Sequence, residues 1–241
     1  MGDIDVSNPL LENYADYYSS GASEWRRLGA IGKADNIVEL CAHLTPDRVL
    51  EIGAGDGSIL QRLSEMEFGR HLHAIEISPS GVAAIQKRGI PRLEECQVFD
   101  GYRIPYEDDQ FDVAVLSHVL EHAEHPRRLL VESARVARYL VVEVPMEDTL
   151  RLTGDFHWDA VGHINYYTPT TLRRLAQSCG LRVRRQITTN APRDTYTYTS
   201  GKRGLLQYYL KEATLRISSR IATELFCYHG TILCEKALPP Q

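Results

Sequence analysis

Gly53, Gly55 and Gly57 alternate with small or acidic residues directly after the run Val49-Leu50-Glu51-Ile52, and an acid stands before and within them, Glu51 and Asp56. Such a loop lets a ligand approach the backbone closely, with Ala54 as the small residue between the first two glycines. The spacing is G-x-G-x-G. It is neither the G-x-G-x-x-G of a dinucleotide site nor a P-loop, since no Gly-Lys-Ser/Thr follows. The two carboxylates would repel a pyrophosphate and suit a cofactor without phosphates that carries positive charge, such as an adenosyl sulfonium compound. Glu76, at the end of the next apolar run and followed by Ile77, offers the two acceptor oxygens that a pair of ribose hydroxyls needs. Asp100, before Gly101, fits either an acceptor for an adenine amino group or a plain turn former.

A second group is dense in histidine: Ser117-His118-Val119-Leu120-Glu121-His122, with His125 further on. The H-E-x-x-H zinc pattern is absent, so a metal is not expected there. His118 is a candidate site-lining base, because an imidazole titrates near neutral pH. His122 fits a substrate contact or a structural bond to a loop carbonyl. A third group, Gly154 to Tyr167, contributes His157, Trp158, His163 and Tyr167 as candidate substrate contacts. Tyr14, Tyr17 and Tyr18 fall on one helical face, a short helix or lid, with Tyr18 able to close over a site.

These groups sit at the ends of regularly alternating elements. Helical spacing predicts a long helix over 23–44, stopped by Pro46. Strands are predicted at 48–52, 71–77, 95–99, 111–117, 139–145 and 181–188. Helices are predicted over 58–67, from Pro79 to Gly89, from Pro126, and from Pro169 to about Cys179. The glycine loop, Glu76, Asp100 and His118 then all fall at carboxyl ends of strands, where open α/β sheets gather ligands. Residues 189–202 read as a polar loop and the following stretch to 229 as a helical lid or partner surface. A last strand is predicted over 230–237. The expectation is a single domain over 1–241: a helical cap over 1–44, a cofactor-binding core over 45–188, an insertion over 189–229 and a final strand.

With 241 residues and 43% hydrophobic content the chain can bury a full core. The formal charge of −5 argues against nucleic acid or an anionic membrane as partner. The acidic start lacks the apolar stretch of a leader, and no run is long enough to span a bilayer. The five cysteines form no C-x-x-C pair, which fits a reducing, cytoplasmic setting.

Taken together, the Val49–Gly57 run, Glu76, Asp100, the stretch from Phe111 through His118-Val119-Leu120-Glu121-His122, and Gly162-His163-Ile164 with Tyr167-Thr168-Pro169 resemble class I S-adenosylmethionine-dependent methyltransferases. The small-molecule branch, with ubiquinone-type O-methyltransferases and secondary-metabolite enzymes, is the most similar. The likeness covers about 35–188 and the final strand. It implies a Rossmann-like α/β fold: a seven-stranded, mostly parallel sheet with helices on both faces and the last strand antiparallel. It also implies S-adenosylmethionine as cofactor. Glu51 and the loop Gly53–Gly57 would lie by its amino-acid part, Glu76 at the ribose, Asp100 and Gly101 at the adenine, and Ser117 and His118 at the methyl-transfer site.

No Asn-Pro-Pro-Tyr signature is present, which points to a small acceptor. A hydroxyl acceptor would use His118 or His163 as base, a carboxylate acceptor neither. N- or C-methylation, and cofactor binding without catalysis, are the alternatives. The protein is expected as a monomer or homodimer.

Overall fold

In the computed structural model, which describes residues 6–19, 23–153 and 162–236, seven strands form one sheet in the order β3-β2-β1-β4-β5-β7-β6. The strands are β1 (Arg48–Ile52), β2 (His71–Glu76), β3 (Leu93–Val98), β4 (Phe111–Ser117), β5 (Ala137–Pro145), β6 (Leu181–Thr189) and β7 (His229–Lys236). Neighbours from β3 through β5 run parallel, and β7 lies antiparallel to both β5 and β6. The expected sheet with its reversed last strand is therefore the one observed.

Alternation along the strands divides the core into two layers. On one face Leu50, Ile52, Leu116, Leu140 and Val142 pack under Leu129 and Leu130 of α5 (Pro126–Val136) and Leu172 of α6 (Pro169–Ser178). On the other face Val49, Val113, Val115 and Val141 meet Ile37 and Leu40 of α2 (Glu24–Leu40) and Leu60 and Leu63 of α3 (Ser58–Glu65). Strands buried on both faces must be apolar nearly throughout, as these are. The exceptions carry the chemistry. Glu51, Ser117 and Glu143 continue the odd-numbered α2-facing rows of β1, β4 and β5, and all three are buried.

Most element bounds differ from expectation only at their ends. Helix α2 stops at Leu40, and α3 stops before Glu67, which adopts a left-handed φ of 57°. The larger correction concerns residues 189–202. The expected polar loop is largely helix, because α7 runs over Arg193–Ile217 and is followed by α8 (Ser219–Leu225). Thr197 and Thr199 turn their hydroxyls back onto the carbonyls of Arg193 and Thr195, so these residues keep helical backbone while their polarity is satisfied locally. Gly201 (φ 56°, ψ −133°) kinks the element between its polar and apolar halves. Beyond the kink Lys211 is buried, its ammonium over the rings of Tyr196 and Tyr228.

Candidate active site

Two adjoining cavities open along the carboxyl ends of β1, β2 and β4. The smaller, about 80 Å³, is lined by Glu76, Ile77, Phe99, Gly101, Tyr102, Leu129 and, from the N-terminal segment, Val6, Tyr14 and Tyr18. The larger, about 380 Å³, runs past Glu51, the glycine loop and Ser117-His118 to Lys33, Glu147, His163 and His229. Gly53, Tyr14, Tyr18, His118 and His122 border both.

The loop after β1 is held to β2 by the amides of Gly53 and Ala54, which donate to the carbonyl of Ile75 at 2.8 and 3.2 Å. Gly53 has φ 71°, and a Cβ there would stand 2.7 Å from Val119 Cγ2. Gly55 has φ 56°, and its Cβ would meet the Tyr18 hydroxyl at 3.0 Å. Both positions need glycine for conformation and for space.

Glu76 is 3% exposed. Its two oxygens accept from the amides of Gly55 (2.8 Å) and Ser78 (3.0 Å). Burial still pushes its carboxyl above the usual range, against the pull of those amides. Each oxygen keeps a further acceptor position. Glu51, 1% exposed, has an Oε2 with no hydrogen-bond partner. Burial and the neighbouring Asp56 push it up to about 8, against Lys33. An orphaned carboxyl in a cavity wall is a place for a cation, and the ammonium and sulfonium of S-adenosylmethionine supply that charge. Apolar walls for a ring, a two-oxygen acceptor and an unpaired carboxyl lie in sequence along the cavities, so the residues fit that cofactor. Asp56 is less available, since Arg88 and Ser58 engage its carboxylate at 2.9 and 2.7 Å.

Asp100 takes the turn-forming alternative. Its Oδ1 accepts from the amides of Tyr102 (2.8 Å) and Arg103 (2.6 Å), and the residue lines neither cavity, whereas Phe99, Gly101 and Tyr102 do. Tyr167 also lines neither. It is 5% exposed in the core, its hydroxyl donating to the carbonyl of Leu120 at 3.3 Å. Its role there is support of the 117–123 loop, helped by Asn165, whose amide donates to Leu120 and Ala123. Tyr18 lies at the junction of the two cavities rather than deep in the larger one. His157 and Trp158 lie outside the described residues. The N-terminal tyrosines do not share one helical face, because α1 (Asn8–Ala15) ends before Tyr17 and Tyr18; three bonds hold this segment on the body, Ser78 Oγ donating to the carbonyl of Tyr14 (2.6 Å) and the amides of Tyr18 and Ser7 donating to Ser80 Oγ and Glu124.

The histidines divide into two settings. His118, with a left-handed φ of 58°, has Nδ1 3.1 Å from Glu121 and Nε2 3.5 Å from Glu143. Burial and Lys33 push its imidazole down, but the two carboxylates outweigh them and its pKa is raised. Glu143 is held at about 2: burial opposes ionisation, and His118, His229 and Lys33 prevail. His163, in contrast, has Nδ1 2.6 Å from Glu147 on the rim of the larger cavity, next to His122, whose ring lies 4.7 Å away. Nδ1 of His122 is 3.3 Å from the carbonyl of Gly162.

Several residues here escape the reading of sequence motifs: Lys33, Glu143, Glu147 and His229. Glu143 carries a visible signal, a lone acid inside the apolar run Leu140–Val144. His229 reaches the site because β7 is antiparallel, so its first residue pairs with Pro145, the last residue of β5.

A Rossmann-like sheet of this order, with a glycine loop after β1 and an acid at the end of β2, defines the adenosyl-cofactor class of α/β domain. The sequence matches the family model described as methyltransferase domain over residues 25–186, and the chain belongs to that family; in fold and family it is a class I S-adenosylmethionine-dependent methyltransferase domain. It is 29% identical over 126 residues to an uncharacterised protein of Methanocaldococcus jannaschii, covering 52% of this chain and 57% of that one. It is 25% identical over 172 residues to a ubiquinone biosynthesis O-methyltransferase of Aeromonas salmonicida, covering 63% and 70%. A solved structure of geranyl diphosphate methyltransferase with GPP and sinefungin superposes with a TM-score of 0.66 at 13% identity, covering 96% and 100%. The chain spans 57%, 36% and 56% of the length of the first three curated relatives it matches. No described helix is long and apolar enough to cross a membrane.

Proposed function

We propose that this protein methylates a hydroxyl group of a small molecule, with S-adenosylmethionine as donor and His163 as the base. The observation that carries the reading is the His163–Glu147 pair, 2.6 Å apart on the rim of the cavity that begins at the glycine loop. A carboxylate against one imidazole nitrogen fixes the ring and stabilises the imidazolium that forms when the other nitrogen takes a proton. His118 serves less well, since both its nitrogens face carboxylates.

The donor supplies an electrophilic methyl carbon on a sulfonium. Glu76 holds the ribose end and Glu51 faces the positive charge of the amino-acid end. The acceptor lies in the larger cavity, its oxygen in line with the S–CH3 bond. Its proton goes to His163, the O–C bond forms as the C–S bond breaks, and S-adenosylhomocysteine leaves. Alignment in a closed site supplies much of the acceleration. The relatives include proteins named as O-methyltransferases and one named as an N-methyltransferase, so the choice of oxygen rests on the His163–Glu147 pair, a base that a hydroxyl acceptor needs.

Incubation with methyl-labelled S-adenosylmethionine and fractionated metabolite extracts tests this. The expected result is a labelled ether whose formation falls sharply in His163→Ala. A labelled amine or methyl ester formed equally well by His163→Ala refutes the assigned base and acceptor. Tight cofactor binding with no labelled product from any extract refutes the catalytic reading.

A further inference from the structure

Beside the larger cavity, which His118 and His229 line, three side chains converge: His118 just after β4, Glu143 on β5 and His229 at the start of β7. Each offers an atom within 4.8 Å of the others. Nε2 of His118 and Nδ1 of His229 stand 3.5 and 3.6 Å from the same oxygen, Glu143 Oε1. Both nitrogens are buried and without hydrogen-bond partners. These separations are long for hydrogen bonds. They match the edge of a tetrahedron, roughly 3.3–3.4 Å, whose centre lies about 2.0–2.1 Å from each ligand atom, the range of zinc bonds to histidine and carboxylate.

The surroundings are those of a ligand set. The other oxygen of Glu143 accepts from Asn36 Nδ2 (2.8 Å) and Thr231 Oγ1 (2.7 Å), which fixes the carboxylate with Oε1 turned inward. Ser117 Oγ donates to Oε1 at 3.3 Å. Glu121 stands 3.1 Å from the far nitrogen of His118, the place of the outer carboxylate that orients a metal-bound imidazole. Glu121 is fully buried, and His118 is its charge partner. Lys33, which also lines the cavity, has Glu143 and Glu121 among its charged neighbours and is the competing cation.

We infer that His118, Glu143 and His229 form a binding site for a divalent first-row transition ion, with two imidazoles and one carboxylate as ligands. Two nitrogens and one oxygen suit Zn²⁺ and its neighbours and do not suit Mg²⁺ or Ca²⁺. His118 and His229 also line the cavity, which leaves the ion accessible from that side. The absence of an H-E-x-x-H motif does not argue against this set, because its ligands come from β5, β7 and the loop after β4, which only the sheet order brings together. A second group, Glu121, His122 and His163, lies nearby. There His163 is already engaged by Glu147, and His122 approaches Gly162.

The test uses tag-free, chelator-treated full-length protein titrated with Zn²⁺ against a chromophoric chelator, and with Co²⁺ to read coordination from its visible spectrum. One equivalent of Zn²⁺ and an intense four-coordinate Co²⁺ spectrum are expected. His229→Ala and Glu143→Gln should each weaken Zn²⁺ binding at least 100-fold, and Thr231→Val roughly 10-fold by releasing Glu143. Zn²⁺ affinity should be unchanged in His163→Ala. S-adenosylhomocysteine binding, measured on every variant, establishes that the fold and cofactor site persist; it also separates failure of the metal site from failure of the methyltransferase reading. Should Glu143→Gln not fold, His229→Ala alone decides. Zn²⁺ affinity in His229→Ala within tenfold of wild type, or its loss in His163→Ala, overturns the assignment.

Discussion

The two halves of the site are built differently. At the cofactor end, the bonds come from backbone amides of the strand-end loops: Glu76 accepts from Gly55 and Ser78, and Asp100 from Tyr102 and Arg103, while Glu51 Oε2 stays open toward the ligand. At the end proposed for the acceptor, side chains meet from distant elements: Lys33 from α2, Glu143 from β5, His163 from the segment before α6, and His229 from β7. Bonding to the loop backbone gives a cradle whose shape is set before the donor binds. The far end depends instead on the sheet order and on the packing of α2. The contrast predicts that substitutions at the cofactor end act on binding of the donor, and those at the acceptor end on turnover.

The largest effect expected is on the catalytic step. His163→Ala should lower kcat roughly 10²–10⁴-fold, the usual worth of a positioned base, with donor affinity unchanged. Glu147→Gln should cost less, about tenfold or somewhat more, because the imidazole keeps its proton acceptor and loses only its orientation and charge partner. Steady-state kinetics alongside donor binding separate the two halves; a matching loss of donor affinity in His163→Ala would erase the distinction.

Next is Glu76→Ala. Two charge-assisted hydrogen bonds to ribose hydroxyls, each about 1.5–3 kcal/mol, imply a loss of donor affinity of roughly 10²-fold or more. Calorimetry with S-adenosylhomocysteine reads it directly, and near wild-type affinity would remove Glu76 from the ribose.

Glu51 gives a prediction with two opposite signs. Its carboxyl is raised to about 8 in the folded, ligand-free protein, from the usual 4.5. Between these values the folded state holds more protons than the unfolded chain, so stability falls as pH rises from 4.5 through 8. Glu51→Gln removes that loss. At pH 9 the ligand-free variant should be more stable than wild type, by about 1–3 kcal/mol, with no gain near pH 4. Its donor affinity should nevertheless fall, because the carboxylate facing the cation is gone. Denaturant melts at the two pH values check the first sign and calorimetry the second.

The same contrast governs what the sequence alone discloses. The glycine loop, Glu51 and Glu76 are legible because their geometry is set within one strand–loop–helix unit and the strand that follows. Glu143 is half-legible, an acid out of pattern in a buried strand. Lys33 and His229 are silent, since their place depends on helix α2 lying over β1, β4 and β5 and on β7 reversing beside β5. Residues 193–200 mislead for another reason. Threonine and tyrosine are middling helix formers; the threonine hydroxyls bond back to i−4 carbonyls, which permits the helix without favouring it, and packing against α2, invisible in the local sequence, decides for helix.

The smallest expected effect tests a residue that motif reading places at the acceptor and packing places behind it. Tyr167 is buried, with its hydroxyl on the Leu120 carbonyl. Tyr167→Phe keeps the ring in the core and removes one hydrogen bond, for a stability loss of about 0.5–1.5 kcal/mol. Because Leu120 lies between His118 and Glu121, the 117–123 loop should loosen slightly, and kcat should fall less than about tenfold. The acceptor KM should not move, since the hydroxyl does not reach the cavity. A rise in KM at unchanged stability would put Tyr167 back among the residues that touch substrate, and would mean that the loop after β4 shifts toward the acceptor when both ligands are bound.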